Sequence, residues 1–156
     1  MKFMMNGAIT VATMDGANVE MFEAVGPENI IIFGMNDKEV INYYRNGGYS
    51  AVEMCRSDAR LSRIVESLLD GSLGVSNYEF RNIYDSLLIN NDEYFVLKDF
   101  DAYVKAQNKI DLLYRDKAKW NQMCIVNIAK SGAFSSDNTI AQYAKEIWNT
   151  RRVEIR

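Results

Sequence analysis

The segment from Met1 to Gly34 constrains the fold most, because it carries the signals of two strands with a helix between them. Two short runs of β-branched and aliphatic residues flank a helix-compatible stretch, and glycine-containing dipeptides mark a break on each side of that stretch. The pattern predicts a β-α-β start, which is half of an α/β unit. We expect strands at Ala8–Thr13 and Ile30–Phe33, a helix at Ala17–Ala24, and breaks at Asp15-Gly16 and Gly26-Pro27.

The remainder of the chain, residues 36–156, is dominated by helical signals. Asn36 is a cap-like residue followed by Glu39, which is typical of a capping box at the start of a helix. No repeat or linker interrupts the sequence, so we expect a single partial domain over residues 1–156 with its β-α-β start at 1–35. Apolar spacing predicts further helices from a Ser57 cap through Leu69, over Asn77–Ile89, Phe100–Tyr114 and Lys117–Lys130, and from Ser136 or Asp137 through Trp148, with one extended run at Tyr94–Leu97.

Composition and charge exclude several classes of function. With 48% hydrophobic and 25% charged residues, the chain has the composition of a globular protein. A formal net charge of −3 gives no electrostatic reason to expect nucleic acid or an anionic membrane as a partner. No apolar run approaches the ~20 residues that span a bilayer, and we expect a cytoplasmic protein. Cys55 and Cys124 lie far apart without metal-ligand spacing, which favours two reduced thiols over a disulfide.

The sequence contains no histidine, which removes several kinds of active site at once. Ser-His-Asp and Cys-His catalysis, a histidine general base and a His-ligated metal cannot arise within this chain. Any chemistry must use carboxylates, lysine, tyrosine or a bound cofactor. The residues alone therefore indicate no metal site and no certain catalytic residue.

The turn Thr13–Asn18 permits two interpretations. Its backbone N–H groups lie at a strand-to-helix junction, where they are suited to bind an anion. Alternatively, Asp15 caps the helix, Gly16 permits the turn and Asn18 bonds locally. Because the carboxylate of Asp15 repels phosphate, we favour the helix cap.

Other polar and aromatic residues are better explained without a ligand. Glu20 and Glu23 are spaced to share a helix face, and nothing supplies a substrate between them. Aromatic rings are suited to stack on sugars, but their helical spacing favours packing in a core or an interface. The aromatic residues concerned are Tyr43, Tyr44, Tyr49, Tyr84, Tyr94, Tyr103, Tyr114, Tyr143, Trp120 and Trp148, and the cations interpreted as solvated charges are Lys117, Lys119, Arg151 and Arg152.

Several longer motifs follow one another in a fixed order. The first part of the chain has Met-Lys-Phe-Met-x-Asn-Gly-Ala from residue 1, Thr-Met-Asp-Gly-Ala-Asn-Val-Glu from residue 13 and Ile-Phe-Gly-Met from residue 32. The last part has Asn-Ile-Ala-Lys-Ser-Gly from residue 127, Phe-Ser-Ser-Asp-Asn-Thr-Ile from residue 134 and Tyr-Ala-Lys-Glu-Ile-Trp-Asn-Thr from residue 143. Together these motifs closely resemble the carboxy-terminal domain of the glycogen/maltodextrin (α-glucan) phosphorylases. The resemblance covers nearly the whole chain and is weakest between Asp37 and Asp92.

The resemblance implies a fold, a cofactor and a reaction. The fold would be α/β and helix-rich, with a partial Rossmann-like parallel sheet that belongs to the carboxy-terminal part of a two-domain glycosyltransferase B-type fold. Lys2 occupies the position at which the family's lysine carries pyridoxal 5′-phosphate (PLP) as a Schiff base. In that family the cofactor's phosphate exchanges a proton with orthophosphate, while a glucosyl unit passes from an α-1,4-glucan to give glucose 1-phosphate. Lys2 would then anchor and orient the cofactor.

The resemblance also implies that much of the enzyme is not in this chain. The family's Gly-Thr-Gly-Asn segment, its orthophosphate-binding arginine and lysine, and its amino-terminal domain would precede Met1. We therefore expect the chain alone to be inactive, and we expect self-association to cover the strand edges and apolar surface that the missing region leaves open. The alternative is a catalytically silent α/β domain that binds a protein partner or a small anion.

Overall fold

The computed structural model describes residues 1–74, 78–151 and 153, which are helix-rich and include one two-stranded parallel sheet. The chain divides into two compact units: unit 1 comprises residues 1–32 and 108–156, and unit 2 comprises residues 33–107. The helices are α1 (Lys2–Met5), α2 (Ala17–Val25), α3 (Asp37–Asn46), α4 (Ala51–Ser57), α5 (Ala59–Glu66), α6 (Arg81–Tyr84), α7 (Phe100–Arg115), α8 (Lys117–Lys130) and α9 (Ser136–Gln142), the strands are β1 (Val11–Ala12) and β2 (Ile31–Ile32), and π-helical turns lie at Asp85–Ile89 and Tyr143–Ile147.

Unit 1 contains the predicted β-α-β order after α1. Strand β1 pairs in parallel with β2, with Val11 opposite Ile31 and Ala12 opposite Ile32, and α2 lies between the two strands in the chain. Each strand is two residues long, so the predicted ranges Ala8–Thr13 and Ile30–Phe33 are too long. A strand extends only as far as a neighbour supplies hydrogen-bond partners, and within the described residues each strand has one short neighbour.

The core of unit 1 is built from the sides of α1 and α2 together with the loop before β2. On α2, Met21 and Val25 are four positions apart and both are buried, which turns one face of the helix inward. Helix α1 was not predicted, because a single turn is too short to show an apolar period, and it is placed by Met4, which is 1% exposed. Ile30 completes the buried cluster, and Phe22, Ile32, Val126 and Phe134 pack against it.

The core of unit 2 lies around α4 and α5. Leu61 and Val65 form the buried face of α5, and Ala51 and Cys55 form that of α4. Leu97 joins them from the segment before α7. Burial raises the pKa of the Cys55 thiol, and the charges of Glu66 and Asp58 raise it further, which keeps this cysteine a neutral packing group. Tyr49, Met54, Tyr84, Leu87, Leu88 and Phe100 pack against this core.

The structure of residues 51–69 differs from the prediction, which was one helix from a Ser57 cap through Leu69. Ser57 ends α4, and α5 begins after Asp58, whose Oδ1 accepts a hydrogen bond of 2.8 Å from the Arg60 N–H. Because Asp58 also binds the Arg60 guanidinium, it is held in the capping position more firmly than a serine would be. Helix α5 ends at Glu66, so Leu69 lies beyond it.

Several predicted helix ends are confirmed. Asn36 and Glu39 form a complete capping box before α3, in which each side chain accepts a hydrogen bond from the other's backbone N–H. Helix α8 has the predicted bounds, and α7 extends one residue beyond the prediction. Helix α3 has no buried residue, so its apolar side chains are at most partly covered. Asn77, the first residue of one predicted helix, lies outside the described residues.

Gly34, just after β2, has less room for a side chain than any other glycine of unit 2. Its φ is +79°, and a Cβ there would lie 2.5 Å from Oδ2 of Asp99. The Oδ1 atom of Asp99 accepts a hydrogen bond of 2.9 Å from the Met35 N–H. Asp99 therefore caps the chain as it leaves the strand, and only glycine leaves room for that carboxylate.

We predict that Gly34→Ala destabilises the protein more than Gly71→Ala does. Gly71 has almost the same φ, +80°, but a Cβ there would meet nothing within 4 Å. Gly71→Ala should lower the free energy of unfolding by about 1 kcal/mol through backbone strain alone. Gly34→Ala should cost about 1–3 kcal/mol more, because the methyl group displaces Asp99. Urea denaturation of both variants tests this, and equal losses would contradict the proposed close contact.

Candidate functional site

Lys2 lies on α1, the single helical turn at the start of unit 1, and its side chain is exposed. Burial of Met4 fixes one side of that turn. The Asn6 carboxamide donates a hydrogen bond of 3.0 Å to the carbonyl oxygen of Lys2. Gly7 packs so closely on α8 that a Cβ would lie 3.3 Å from Cδ1 of Ile128. These contacts hold the backbone of α1 in place and leave the amine of Lys2 accessible.

The turn Thr13–Asn18 is stabilised by its own side chains. Thr13 Oγ1 donates a hydrogen bond of 2.6 Å to Asp15 Oδ2, and Asn18 Nδ2 donates one of 3.1 Å to the Thr13 carbonyl oxygen. The N-cap of α2 is Gly16, with a φ of 47° and no side-chain cap, so the prediction that Asp15 caps this helix is wrong. The carboxylate is instead used within the turn, and the predicted local bonding of Asn18 is confirmed. Because the negative charge of this carboxylate repels an anion, the turn is better explained by a structural role.

The sequence analysis did not predict the structural role of Asn127, which connects α8 to the loop before β2. This side chain is 1% exposed, and its Nδ2 donates to the carbonyl oxygens of Asn29 at 2.8 Å and Met123 at 2.9 Å. Asn29 in turn donates to the Val25 carbonyl oxygen at 2.8 Å. The Oδ1 atom of Asn127 is buried without a hydrogen-bond partner in the described part of the chain. The available signal was an asparagine inside a long helix, a position that this residue type disfavours.

Unit 2 contains an aromatic cluster of Tyr43, Tyr44, Tyr49 and Phe95. The ring of Phe95 lies 5.0 Å from that of Tyr49, 5.3 Å from that of Tyr44 and 5.5 Å from that of Tyr43, measured between centroids. The cluster borders an open cavity of about 290 Å³, which residues 90–93 also line. Of these four rings only that of Phe95 is buried, and Tyr44 is 61% exposed.

The carboxylate of Asp92 holds the backbone beside the aromatic cluster. Asp92 is 2% exposed; its Oδ2 accepts hydrogen bonds of 2.7 Å from the Tyr49 hydroxyl and the Leu97 N–H, and its Oδ1 accepts one of 3.0 Å from the Val96 N–H. These hydrogen bonds hold the segment in turns, so the prediction of an extended run at Tyr94–Leu97 is wrong. Asp92 and Phe95 both adopt a positive φ, 46° and 57°, a conformation that a strand does not permit.

The pKa of Tyr49 rises well above its ordinary value. Burial contributes most, and the hydrogen bond to Asp92 and the negative charge of that carboxylate act in the same direction. Tyr49 therefore stays protonated and keeps donating its hydrogen bond wherever the protein is folded at neutral pH. The group is a structural donor rather than an acid or base poised for catalysis.

The remaining candidates from the sequence stay apart from any common site. Glu20 and Glu23 are exposed, and Cys55 and Cys124 are free thiols. Tyr49 and Tyr84 pack on the core of unit 2 as predicted, whereas the T-shaped pairs Tyr114–Trp120 and Tyr143–Trp148 lie nearer the surface. Lys117 and Arg151 are exposed, Lys119 is half-buried, and Arg152 lies outside the described residues.

The described residues contain neither a cluster of metal ligands nor a membrane-spanning helix. Among them, no group of three or more Cys, Asp or Glu side chains is placed to hold a metal ion. None of their helices is long and apolar enough to cross a bilayer.

Comparison with known proteins gives one consistent result. The family model described as carbohydrate phosphorylase matches residues 1–150. The chain is 51% identical over 151 residues to the glycogen phosphorylase of Bacillus subtilis (strain 168), a match that covers 97% of this chain and 19% of that protein. It is 45% identical over 148 residues to the muscle form of glycogen phosphorylase from Mus musculus, which covers 95% of this chain and 18% of that protein. The chain thus spans about a fifth of the length of the curated relatives it matches.

We predict that Tyr49→Phe lowers the free energy of unfolding by about 1–3 kcal/mol, because it removes a donor from the buried Asp92 carboxylate. Tyr44→Phe is the matched control, since the Tyr44 hydroxyl donates to the Glu93 carbonyl oxygen at an exposed position. The control should cost less than about 1 kcal/mol.

Tyr49→Phe should also change how the stability of the protein depends on alkaline pH. A raised folded-state pKa means that the unfolded chain loses the tyrosine proton first, so this stabilisation is present below pH ~10 and declines as the pH rises above it. Tyr49→Phe should therefore show a smaller loss of stability above pH ~10 in denaturation curves. Identical pH profiles for the variant and the parent protein would argue against the Tyr49–Asp92 bond.

Proposed function

Because the chain belongs to the carbohydrate phosphorylase family, we propose that it is the carboxy-terminal part of a PLP-dependent α-glucan phosphorylase. The whole enzyme would transfer a glucosyl unit from an α-1,4-glucan to orthophosphate and release glucose 1-phosphate. The observation that carries this proposal is the 51% identity to a glycogen phosphorylase over 97% of the chain. Since the match covers only 19% of that relative, the substrates would meet residues that this chain does not supply.

Lys2 is the residue that we propose for the cofactor. A Schiff base requires a primary amine that the cofactor's aldehyde can reach, and the exposed side chain of Lys2 meets this requirement. Bound PLP would supply a phosphate group to the reaction. Burial of Met4 and the hydrogen bond from Asn6 to the Lys2 carbonyl oxygen restrict the backbone, so this amine would fix the position of the cofactor. The rest of the cofactor pocket would come from the region that the chain lacks.

The fold of the whole enzyme would be of the two-domain glycosyltransferase B type. Support for this comes from the pairing of β1 with β2, since a parallel pair joined through a helix is the smallest piece of a Rossmann-like sheet. Two strands alone are marginal, and parallel sheets are normally covered on both faces. We therefore assign further strands of this sheet, and the partner region that covers it, to the missing amino-terminal part.

Apolar surface in unit 1 supports a proposal of self-association when that partner is absent. Phe3 is 82% exposed, Met5 60% and Ile125 65%. Large exposed apolar side chains and unpaired strand edges both favour contact with another molecule. A second copy of the chain is the partner that a purified sample always contains.

We predict that PLP followed by borohydride labels Lys2 in preference to the other lysines. The measurement is peptide mass spectrometry after reduction, with Lys38, Lys98, Lys105, Lys109, Lys117, Lys119, Lys130 and Lys145 as internal comparisons. Lys2→Arg is the control variant, because it keeps the positive charge and removes the primary amine. Uniform labelling of all lysines would contradict the prediction, because it would mean that the chain alone does not direct the cofactor to Lys2. The chain alone should release no glucose 1-phosphate from maltodextrin and orthophosphate, and its release would overturn the view that the missing region is required.

We predict that the chain's apparent mass in light scattering rises with protein concentration. Phe3→Glu should reduce this association, because it places a charge in the exposed apolar surface of unit 1. Tyr78→Glu is the control, since Tyr78 is an equally exposed aromatic residue, 84%, in unit 2. A monomer at every concentration, or equal effects of the two substitutions, would contradict the assignment of this surface.

A further inference from the structure

The sequence contains two Asn-Gly dipeptides, Asn6-Gly7 and Asn46-Gly47. Their exposure and their packing differ in the structure. In an Asn-Gly pair, the backbone nitrogen of glycine can attack the asparagine carboxamide, because glycine has no side chain to obstruct the approach. The dipeptides are identical, so any difference in their reactivity within the folded protein must come from the structure around them.

We propose that Asn46-Gly47 is a site of spontaneous deamidation in the native protein. The Gly47 nitrogen forms a bond to Asn46 Cγ, the Cγ–Nδ2 bond breaks, and ammonia leaves with the proton from the Gly47 N–H. The cyclic imide that results is opened by one water molecule. Opening at one carbonyl gives aspartate, and opening at the other gives isoaspartate, in which the chain continues through the side chain. Water is the only co-reactant, so neither an enzyme nor a cofactor is needed.

The surroundings of Asn46 permit the motion that the attack requires. Asn46 is the last residue of α3, and both it and Gly47 are exposed. A Cβ at Gly47 would meet no atom within 4 Å, so the peptide has open space around it. Each of the two reacting groups makes one hydrogen bond: Gly47 N–H donates to the Tyr43 carbonyl oxygen at 2.8 Å, and Asn46 Nδ2 donates to Asn42 Oδ1 at 2.7 Å. Because α3 has no buried residue, opening its last turn releases both groups without breaking the core.

Asn6-Gly7 is restrained by tertiary packing. Gly7 is buried, and a Cβ there would lie 3.3 Å from Ile128 Cδ1 and 3.4 Å from Cys124 Cβ, both on α8. Gly7 N–H donates to the Met4 carbonyl oxygen at 3.0 Å, and Met4 itself is 1% exposed. Freeing this peptide requires α1 to detach from the core of unit 1. The same chemistry therefore faces a larger opening cost at Asn6.

Conversion of Asn46 has a consequence for unit 2. It places a new negative charge at the carboxyl end of α3, where the helix dipole is already negative. The Gly47 peptide also borders the cavity beside the aromatic cluster. Isoaspartate would add an extra backbone atom at that border. The modified protein should therefore have a less stable end of α3, and the inference does not depend on the proposed enzymatic function.

The test follows both dipeptides in the same folded sample. The purified chain is incubated in mildly alkaline buffer below its unfolding temperature, and peptide mass spectrometry measures the replacement of the amide by an acid together with isoaspartate content. We expect Asn46 to convert several-fold faster than Asn6. In denaturant, where only the sequence matters, the two sites should convert at similar rates.

Two matched variants identify the reacting residue. Asn46→Gln should abolish the fast conversion, because the longer side chain would have to close a larger and less favoured ring. Asn6→Gln should leave the conversion at Asn46 unchanged. Equal rates at both sites in the folded protein, faster conversion at Asn6, or no conversion at Asn46 while the denatured chain reacts would each overturn the proposal.

Discussion

Where the chain leaves a helix or the short sheet, its backbone N–H and C=O groups still need hydrogen-bond partners. In this protein, side chains of Asp and Asn supply them. Asp92 accepts hydrogen bonds from two successive N–H groups in unit 2, and Asp99 accepts one from Met35 just after β2. Asn127 gives its amide protons to two carbonyl oxygens in unit 1. With so little sheet to pair the backbone, these short polar side chains decide where the loops run and how the apolar residues meet.

The sequence predicted the long helices well because their evidence is local. Helix α8 has the predicted bounds, and the capping box at Asn36 is complete. The prediction was wrong where a distant side chain decides the conformation. Tyr94–Leu97 has the composition of a strand, but Asp92 and the hydroxyl of Tyr49, from another part of the chain, hold it in turns. Strand lengths were also overestimated, since strand length depends on neighbours rather than on the residues of the strand itself.

In the candidate site, too, local sequence signals predicted some features, while long-range contacts decided others. Lys2 came from a motif and a family resemblance, and local physics alone would have treated it as a solvated charge. The turn Thr13–Asn18 was correctly placed before α2, but the partner of its carboxylate was not foreseen. Asn127 carried only a weak signal, because its role depends on a loop about a hundred positions earlier in the chain. Residues that stabilise a site through such long-range bonds are therefore the hardest to find from sequence.

Helix α1 is only one turn long, with Met4 pointing into the core and Lys2 outside it. Successive residues of an α-helix are rotated by about 100° around its axis. Inserting or deleting one residue between Lys2 and Met4 would thus swing the amine to another side of the molecule while the methionine kept its place. If the amine of Lys2 holds the cofactor as we propose, the spacing between these two side chains matters whichever residue stands between them.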